Sequence, residues 1–467
     1  MKKIHLLLIC FLFIISTSIS QNLQSPEQFL GYEIGTQFTR HADVVNYFNH
    51  IAENSPLVKY TTYGKTNENR PLTYAVISSE ENLKNLEAIR TEHLNTTTNT
   101  SGNKPSKAIV WLSYNVHGNE ASSTEAAMKT IYELVTSKKE WLENTVVILD
   151  PCINPDGRDR YVNWYNQVKA TPYSASPLAA EHNEPWPGGR ANHYLFDLNR
   201  DWAWATQTET KARLKIYNQW MPHIHVDFHE QGINEPYYFA PAAEPFHEII
   251  TPFQRDFQNE IGKNHAKYFD DNGWLYFTKE IFDLLYPSYG DTYPTYMGAI
   301  GMTYEQAGGG QGGLGVQTAE GYELTLVDRV AHHFTTGIST VEIASKNVEK
   351  LNSEFSKFYK NEQLAKKSYV LNGSPDKISA LKALMDTHNI SYSNTSSEKI
   401  KGYNYNTSKN SDFTANENSV VISTDQPKGK MVKVLFEPNA KLSDSLTYDI
   451  TAWSLPYAYG LDAVATE

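Results

Sequence analysis

The sequence contains very little cysteine for a protein of its length. Only Cys10 and Cys152 occur among 467 residues. Cys10 lies inside an amino-terminal apolar segment, and removal of that segment would leave Cys152 alone. A single cysteine cannot form an intrachain disulfide. The fold must therefore be stabilised by an apolar core, with or without a bound metal.

Positive charge is also scarce. The chain has 41 Lys and Arg residues against 53 Asp and Glu residues, which gives a formal net charge of -12. Proteins that bind nucleic acid need a basic face to neutralise phosphates. The charge balance therefore argues against nucleic acid as a partner.

Long hydrophobic runs are missing beyond the amino terminus, so we expect no integral membrane segment in the mature chain. The first residues read "MKK", then "IHLLLICFLFII", then "STSIS". A short basic start, an apolar run of this length and a small polar end are typical of a secretory signal peptide. We predict that residues 1–20 are removed near Ser20–Gln21 and that the protein is exported, to the periplasm or the extracellular space.

Apolar runs of the buried-strand type alternate with helical patterns over most of the chain. "KAIVWLSYN" and "TVVILDPCI" flank a predicted helix over 123–137, and "HIHVDFH" and "AIGMTYE" are further strands. This rhythm predicts an α/β fold with a mixed, largely parallel central sheet flanked by helices.

A long helical stretch is predicted over 321–366, and we place a domain boundary after it. Residues 21–365 would form the main, catalytic domain. Residues 366–467 repeat a strand and helix pattern on a smaller scale. They would form a small C-terminal α/β domain, either complete or truncated.

Side chains that bind metals or transfer protons follow three of the predicted strands. "YNVHGNEASS" places His117 and Glu120 after the first, "HIHVDFHEQG" places His225 and His229 at the end of the second, and Glu305 ends the third. Sites of α/β sheets form where such strand ends meet. Asp227 shares a strand face with both of these histidines and is suited to support one of them.

Two shorter motifs lie between these strands: "NPDG" at 154–157 and "DLNRDW" at 197–202. The five motifs in this order resemble the zinc metallocarboxypeptidases of the carboxypeptidase A/B type. Within that family the chain is most similar to secreted bacterial members with a C-terminal extension.

The resemblance implies a metal centre with one zinc per chain. His117, Glu120 and His229 match the three zinc ligands, and His225 is the alternative for the third. Such a set leaves the fourth position to water. Glu305 matches the general base that activates this water.

A guanidinium that stabilises the oxyanion is implied as well. Arg190, in "WPGGRANHY", is the first choice for it, and Arg158 and Arg160 stay open as alternatives.

The resemblance also implies a site for the free C-terminal carboxylate of a peptide. Asn199 and Arg200 match the pair that binds it, although Arg200 could instead form a structural ion pair with Asp197 or Asp201. Tyr286 or Tyr289 would close over the substrate, with Tyr286 preferred.

The pocket for the substrate's last side chain would be lined by parts of 286–303. Asp291 in this range either indicates basic side chains or caps a turn.

These features together predict a secreted zinc metallocarboxypeptidase that hydrolyses C-terminal peptide bonds of peptides or proteins. One alternative is a zinc amidase or deacylase on the same scaffold, which would act on peptidoglycan stem peptides or acylated amino acids. Another is a non-catalytic peptide-binding protein. The oligomeric state, the natural substrate and the side-chain preference stay open.

Overall fold

The computed structural model describes residues 23–98, 105–360, 364–395, 397–442, 447, 450 and 452–467. The predicted signal peptide, residues 1–20, lies outside the described residues. Among those described, no helix combines the length and apolar character needed to cross a membrane. Cys152 is buried and has a free thiol.

Strands and helices alternate through the first 360 residues. The strands are β1 (Val58–Lys65), β2 (Pro71–Ile77), β3 (Ala108–Tyr114), β4 (Thr145–Asp150), β5 (Ile224–Gln231), β6 (Tyr237–Tyr238), β7 (Ala243–Phe246), β8 (Tyr276–Phe277), β9 (Asp283–Leu284), β10 (Ile300–Ala307), β11 (Gly315–Gln317) and β12 (Glu323–Thr325). The α-helices are α1 (Pro26–Leu30), α2 (His41–Asn54), α3 (Glu80–Lys84), α4 (Leu86–Asn95), α5 (Ser122–Thr136), α6 (Lys139–Leu142), α7 (Pro155–Val168), α8 (Thr208–Trp220), α9 (Pro252–Asn272), α10 (Thr292–Tyr296), α11 (Leu326–Lys346) and α12 (Val348–Phe358).

An eight-stranded mixed sheet runs through the centre of this part, in the order β1-β2-β4-β3-β5-β10-β6-β8. The four strands β4, β3, β5 and β10 pair in parallel. The hairpin β1-β2 extends one edge with antiparallel pairing. The predicted α/β fold with a largely parallel central sheet is thus confirmed, and the carboxyl ends of β3, β5 and β10 meet at one edge.

The central strands are apolar because helices or other chain segments cover both faces of the sheet. Every residue of β3 is buried. Val110 and Leu112 belong to the apolar cluster that includes side chains of α2, α5 and α11. Ile109 and Trp111 point the other way, into a cluster that includes side chains of α8. Successive side chains of β3 therefore point alternately into the two apolar clusters, one on each face of the sheet.

The single helical stretch expected over 321–366 is wrong. Residues 323–325 form β12, and α11 begins after Thr325, whose side chain and that of Asp328 cap the helix reciprocally. Asn347 then separates α11 from α12. The prediction relied on the distribution of charged residues, whereas the capping box of Thr325 and Asp328 marks where the helix begins.

The C-terminal region forms a second sheet of six antiparallel strands, in the order β14-β17-β13-β18-β15-β16. Its strands are β13 (Ser368–Asn372), β14 (Ser393–Asn394), β15 (Lys399–Asn404), β16 (Lys409–Thr414), β17 (Val420–Ser423) and β18 (Asp462–Thr466). Its helices are α13 (Pro375–Thr387), α14 (Gly429–Phe436) and α15 (Leu455–Ala458).

This region packs tightly against the first part of the chain. Side chains of α8 and α10 share one apolar cluster with side chains of β13, α13 and α14. The hydroxyl of Tyr293 lies 2.8 Å from His388 Nδ1, and His247 Nε2 lies 2.5 Å from Glu437 Oε1. The two sheets are separate, which agrees with two domains, but one apolar cluster extends across both parts of the chain. The domain boundary near residue 365 therefore stays a prediction.

Candidate metal centre and substrate cleft

Three side chains that can bind a metal meet at the carboxyl ends of β3 and β5. These strands are parallel neighbours, with Tyr114 opposite Phe228. His117 and Glu120 lie in the loop after β3, and His229 lies near the end of β5. The Asn115 side chain stabilises this loop by donating hydrogen bonds to the carbonyl oxygens of His117 (2.6 Å) and Glu120 (3.0 Å). Strand pairing and one short loop therefore bring the three side chains together.

The atoms of these side chains converge on one point. His117 Nδ1 lies 2.7 Å from Glu120 Oε1 and 3.2 Å from His229 Nδ1. His229 Nδ1 lies 3.1 Å from Glu120 Oε2. All three residues are buried, and one ligand atom from each lies within 4.8 Å of the others.

The outer nitrogen of each imidazole faces a carboxylate. His117 Nε2 lies 2.8 Å from Asp197 Oδ1, and His229 Nε2 lies 3.0 Å from Asp227 Oδ2. A carboxylate that accepts the Nε2 proton leaves a lone pair on Nδ1. For His117, this lone pair faces the Glu120 carboxylate and His229 Nδ1 in a buried space, which is unfavourable without a cation. The residues thus fit a metal, and carboxylate-supported histidines are the usual arrangement at zinc.

The surroundings of Glu120 keep this carboxyl group ionised. Burial alone raises the pKa of Glu120, but the imidazoles of His117 and His229 outweigh burial and hold that pKa below its ordinary value. The backbone N–H of Glu230 also donates to Glu120 Oε2, at 2.8 Å. Glu120 is therefore an ionised carboxylate with a defined orientation.

Glu305 lies beside this centre, on the next strand of the sheet. It is opposite His229 in the parallel pairing of β10 with β5, and it lines the same cleft. Burial, together with the nearby charge of Glu120, raises the pKa of Glu305 to about 8. A carboxyl group with a raised pKa in a cleft is suited to accept and release a proton near neutral pH.

Arg190 is the predicted arginine that reaches the centre. Its Nη1 lies 3.3 Å from Glu120 Oε1, and its Nη2 lies 2.9 Å from Asp197 Oδ2. The Arg190 side chain is 47% exposed, so it faces the open side of the cleft.

Arg158 and Arg160 have structural roles. Arg158 is fully buried and pairs with Glu125 at 2.6 Å. Arg160 donates to backbone carbonyl oxygens, including that of Gly188 at 2.9 Å.

Asn199 and Arg200 follow Asp197 in a short 3₁₀ turn. The guanidinium carbon of Arg200 lies 4.4 Å from the centre of the Tyr289 ring. Its Nη1 lies 3.9 Å from Asp197 Oδ2, so the two side chains form an ion pair without a hydrogen bond. Asn199 accepts a hydrogen bond from the N–H of Gly290 at 2.8 Å. Both side chains line the cleft.

The structure distinguishes between the two candidate tyrosines. Tyr289 lines the cleft beside Arg200. Tyr286 does not: its hydroxyl accepts a hydrogen bond from Trp204 Nε1 at 2.6 Å, and its ring packs near Trp453 of the C-terminal region. Tyr289, and not the preferred Tyr286, is therefore the candidate that lies in the cleft.

The cleft has a volume of about 170 Å³. Asp291 and Thr303, from the predicted range 286–303, line it. The sequence interpretation missed Glu230, Gln231, Phe282 and Asp283, which line it as well. Glu230 and Gln231 directly follow His229 at a strand end, a position that could have identified them.

His225 has no part in the cleft. Its ring is buried among Trp111, Trp202 and Tyr217 on the opposite face of the central sheet from α5 and α11. The sequence pattern also gave no indication that Asp197 contacts His117 and Arg190.

Residues 44–290 match the family model described as Zinc carboxypeptidase. The match covers more than half of the chain and includes His117, Glu120 and His229. The chain therefore belongs to the zinc carboxypeptidase family. It is a metallocarboxypeptidase, a hydrolase, and zinc is the metal that the family implies.

Several solved structures are similar to the chain. A metallo-carboxypeptidase from Pseudomonas aeruginosa is 13% identical, with a TM-score of 0.45 over 68% of this chain and 70% of that one. Carboxypeptidase A from Helicoverpa armigera is 16% identical, with a TM-score of 0.42 over 69% and 74%. A metallo-carboxypeptidase from Burkholderia cenocepacia is 13% identical, with a TM-score of 0.43 over 66% and 68%. No curated protein matches the chain.

Proposed function

We propose that this protein is an exported zinc exopeptidase that removes the last residue of peptides with a free C-terminal carboxylate. The observation that carries the proposal is the meeting of the His117, Glu120 and His229 ligand atoms beside Glu305, Arg190 and Arg200 in one cleft. Export is supported by the pattern of residues 1–20.

His117, Glu120 and His229 would hold one zinc ion per chain. Bound zinc supplies a coordinated water of lowered pKa and polarises a carbonyl. Asp197 holds the His117 imidazole in the tautomer that exposes Nδ1, and Asp227 lies beside the outer nitrogen of His229. The orientation of the ligands is therefore set before any substrate enters.

Glu305 and Arg190 act on the scissile bond. The Glu305 carboxylate takes a proton from the attacking water and later gives it to the leaving amine. The Arg190 guanidinium donates hydrogen bonds to the carbonyl oxygen as it gains negative charge. Its partial exposure leaves N–H groups available at the open side of the cleft.

Arg200 would recognise the free end of the peptide. A guanidinium and a carboxylate form two parallel hydrogen bonds, and only a chain end supplies that carboxylate. Tyr289 stacks against Arg200 and supports its orientation. Asn199 is held by the N–H of Gly290 and keeps the turn in place.

Amidation of the peptide's C-terminus should slow hydrolysis by at least about tenfold. An amide offers one oxygen acceptor instead of two, so Arg200 would lose one of the two parallel charge-assisted hydrogen bonds, each worth about 1.5–3 kcal/mol. Each 1.36 kcal/mol corresponds to about tenfold in rate. The measurement is kcat/KM on matched free-acid and amidated peptides, read by mass spectrometry.

Arg200→Ala should remove most of this discrimination while zinc stays bound. Arg200→Lys should restore little of it, because an ammonium lacks the planar fork. Equal rates of the unaltered enzyme on both peptides would contradict the exopeptidase proposal and favour an endopeptidase or an amidase.

We further propose that the cleft accepts a basic C-terminal residue. Two buried acidic side chains, Asp283 and Asp291, line it near Tyr289. Asp291 Oδ1 accepts a hydrogen bond from the Thr292 hydroxyl at 2.8 Å, and the Asp291 side chain makes no N-cap hydrogen bond to the helix. Burial raises the pKa of Asp291 to about 6, so the group is charged above that pH and neutral below it. A lysine or arginine side chain would offset this buried charge.

Peptides ending in Lys should therefore be preferred to matched peptides ending in Leu, by at least about tenfold at pH 8. The preference should fall as the pH drops through about 6, because Asp291 is then protonated. The ratio of kcat/KM for the two peptides checks this, since it cancels pH effects common to both. Asp291→Asn should reduce the ratio at pH 8, and an unchanged ratio would remove Asp291 from specificity.

A further inference from the structure

Three consecutive apolar side chains stand in solvent beside the catalytic cleft. Tyr194, Leu195 and Phe196 are 63%, 45% and 50% exposed. They directly precede Asp197, whose carboxylate contacts His117 and Arg190. We call residues 194–196 the aromatic turn. Single exposed apolar residues are common on protein surfaces, whereas contiguous exposed apolar patches often mark interaction sites.

The fold holds the aromatic turn in place with buried polar groups. The Asn192 side chain is fully buried, and its Oδ1 accepts hydrogen bonds from the N–H groups of Tyr194 (3.1 Å) and Phe196 (3.0 Å). Its Nδ2 donates to Gln207 and Glu209. The turn is therefore a fixed feature of the surface.

The backbone of the turn is also strained. Leu195 has a φ of 65°, a left-handed conformation that is unfavourable for a non-glycine residue. The Leu195 residue is 45% exposed, so packing inside the protein offsets this cost only in part. Strain that the surrounding structure enforces is typical of functional sites.

We propose that the aromatic turn binds apolar side chains of the substrate, upstream of the scissile bond. This inference rests on the proposed carboxypeptidase function. With the last residue of the substrate in the cleft near Arg200 and Asp291, we place the preceding residues along the partly exposed pair of Arg190 and Asp197. An extended peptide advances about 3.3–3.6 Å per residue. The turn begins one residue from Asp197, which places it within reach of the second and third residues before the scissile bond.

The occupant is a peptide segment with apolar or aromatic side chains, because the turn presents two aromatic rings and one aliphatic side chain to solvent. Offset or edge-to-face contacts between aromatic rings favour such a partner over a polar segment. The enzyme would thus select the last residue through the acidic cleft and the upstream segment through the aromatic turn.

Peptide length and composition test this inference. We would compare a blocked dipeptide, Ala-Lys, with two hexapeptides that end in the same Ala-Lys and carry either Phe or Ser at the two preceding positions. The unaltered enzyme should show a KM about tenfold lower for the Phe hexapeptide than for the Ser hexapeptide. The kcat should differ little, since the contact does not involve the reacting atoms.

The double variant Tyr194→Ser and Phe196→Ser should lose this preference. Its kcat/KM should fall about tenfold on the Phe hexapeptide and little on the blocked dipeptide, which is too short to reach the turn. Tyr322→Ser is the matched control, because Tyr322 is similarly exposed at 45% and lies in a different loop. That variant should keep the preference for Phe.

Equal KM values for the two hexapeptides would overturn the inference, provided that the dipeptide is cleaved. An equal loss of the double variant on all three substrates would also overturn it, because the turn would then only support the catalytic residues. Failure to cleave any of the three would refute the carboxypeptidase proposal itself and, with it, this inference. Retained zinc and an unchanged melting temperature of the double variant would show that it is folded.

Discussion

His117→Ala should abolish both zinc binding and peptide hydrolysis. The variant loses one of three ligand atoms that face one another, and it also removes the hydrogen bond to Asp197 that fixes the imidazole. With two protein ligands, zinc would be held far more weakly, since structural and catalytic sites use three or four. Zinc content measured by mass spectrometry on the purified protein should fall from about one per chain to near zero. Chelation of the unaltered enzyme should have the same effect on activity.

The protein contains a matched control for this experiment. His193, Glu68 and Asp156 form a second grouping of residues that could in principle bind a metal. Here, however, Arg70 already occupies the centre: its Nη1 lies 2.5 Å from Glu68 Oε2 and 2.8 Å from Asp156 Oδ1. The guanidinium supplies the positive charge that a metal would otherwise bring.

His193→Ala should therefore keep a full complement of zinc and most of its activity. Full zinc occupancy in His117→Ala would contradict the ligand assignment. Loss of zinc in His193→Ala, with His117 intact, would move the metal to the second grouping.

The central strands β3 and β4 could be predicted from the sequence, because each of them is a short run of apolar residues. Residues of β3 and β4 are apolar at nearly every position, because both faces of the central sheet are covered. Such runs identify buried parallel strands, whereas the order of the strands in the sheet was not predicted from them. The long helix predicted over 321–366 failed for a local reason, the capping box at Thr325.

The metal-binding residues could be anticipated because each lies at or just after a strand end. Neighbouring parallel strands bring such positions together without any knowledge of the loops. The choice among Arg158, Arg160 and Arg190 had no comparable basis. It depends on how the irregular segment after α7 returns to the cleft, and only tertiary contacts determine that path.

The choice between Tyr286 and Tyr289 illustrates the same difficulty. Both residues lie in an irregular segment, where neither the helical nor the strand periodicity predicts which way a side chain points. The structure directs Tyr286 toward Trp204 and the C-terminal Trp453, and Tyr289 toward Arg200. The residue that reaches the cleft is thus decided partly by contacts with a region more than 150 positions later.

Glu305→Gln should leave the fold and the zinc in place yet lower kcat by at least about 10²–10⁴-fold. Glutamine has nearly the same shape as glutamate, so the change should create no cavity in the buried end of β10. It cannot accept a proton from water or return one to the leaving amine. If the substitution removes only an interaction made in the transition state, kcat and kcat/KM should fall by the same factor and KM should change little.

The control is Glu320→Gln, a change of the same chemistry in an exposed loop, which should leave kcat unaltered. Zinc content and the melting temperature must be measured for both variants, so that a loss of metal is not mistaken for a loss of the proton carrier. The raised pKa of Glu305 reflects a buried site near the Glu120 carboxylate, and that environment suits a group that alternates between its two protonation states. If zinc-loaded Glu305→Gln retained the kcat of the unaltered enzyme, Glu305 would be only a buried residue at a strand end. The proton would then have to be carried by another group of the cleft.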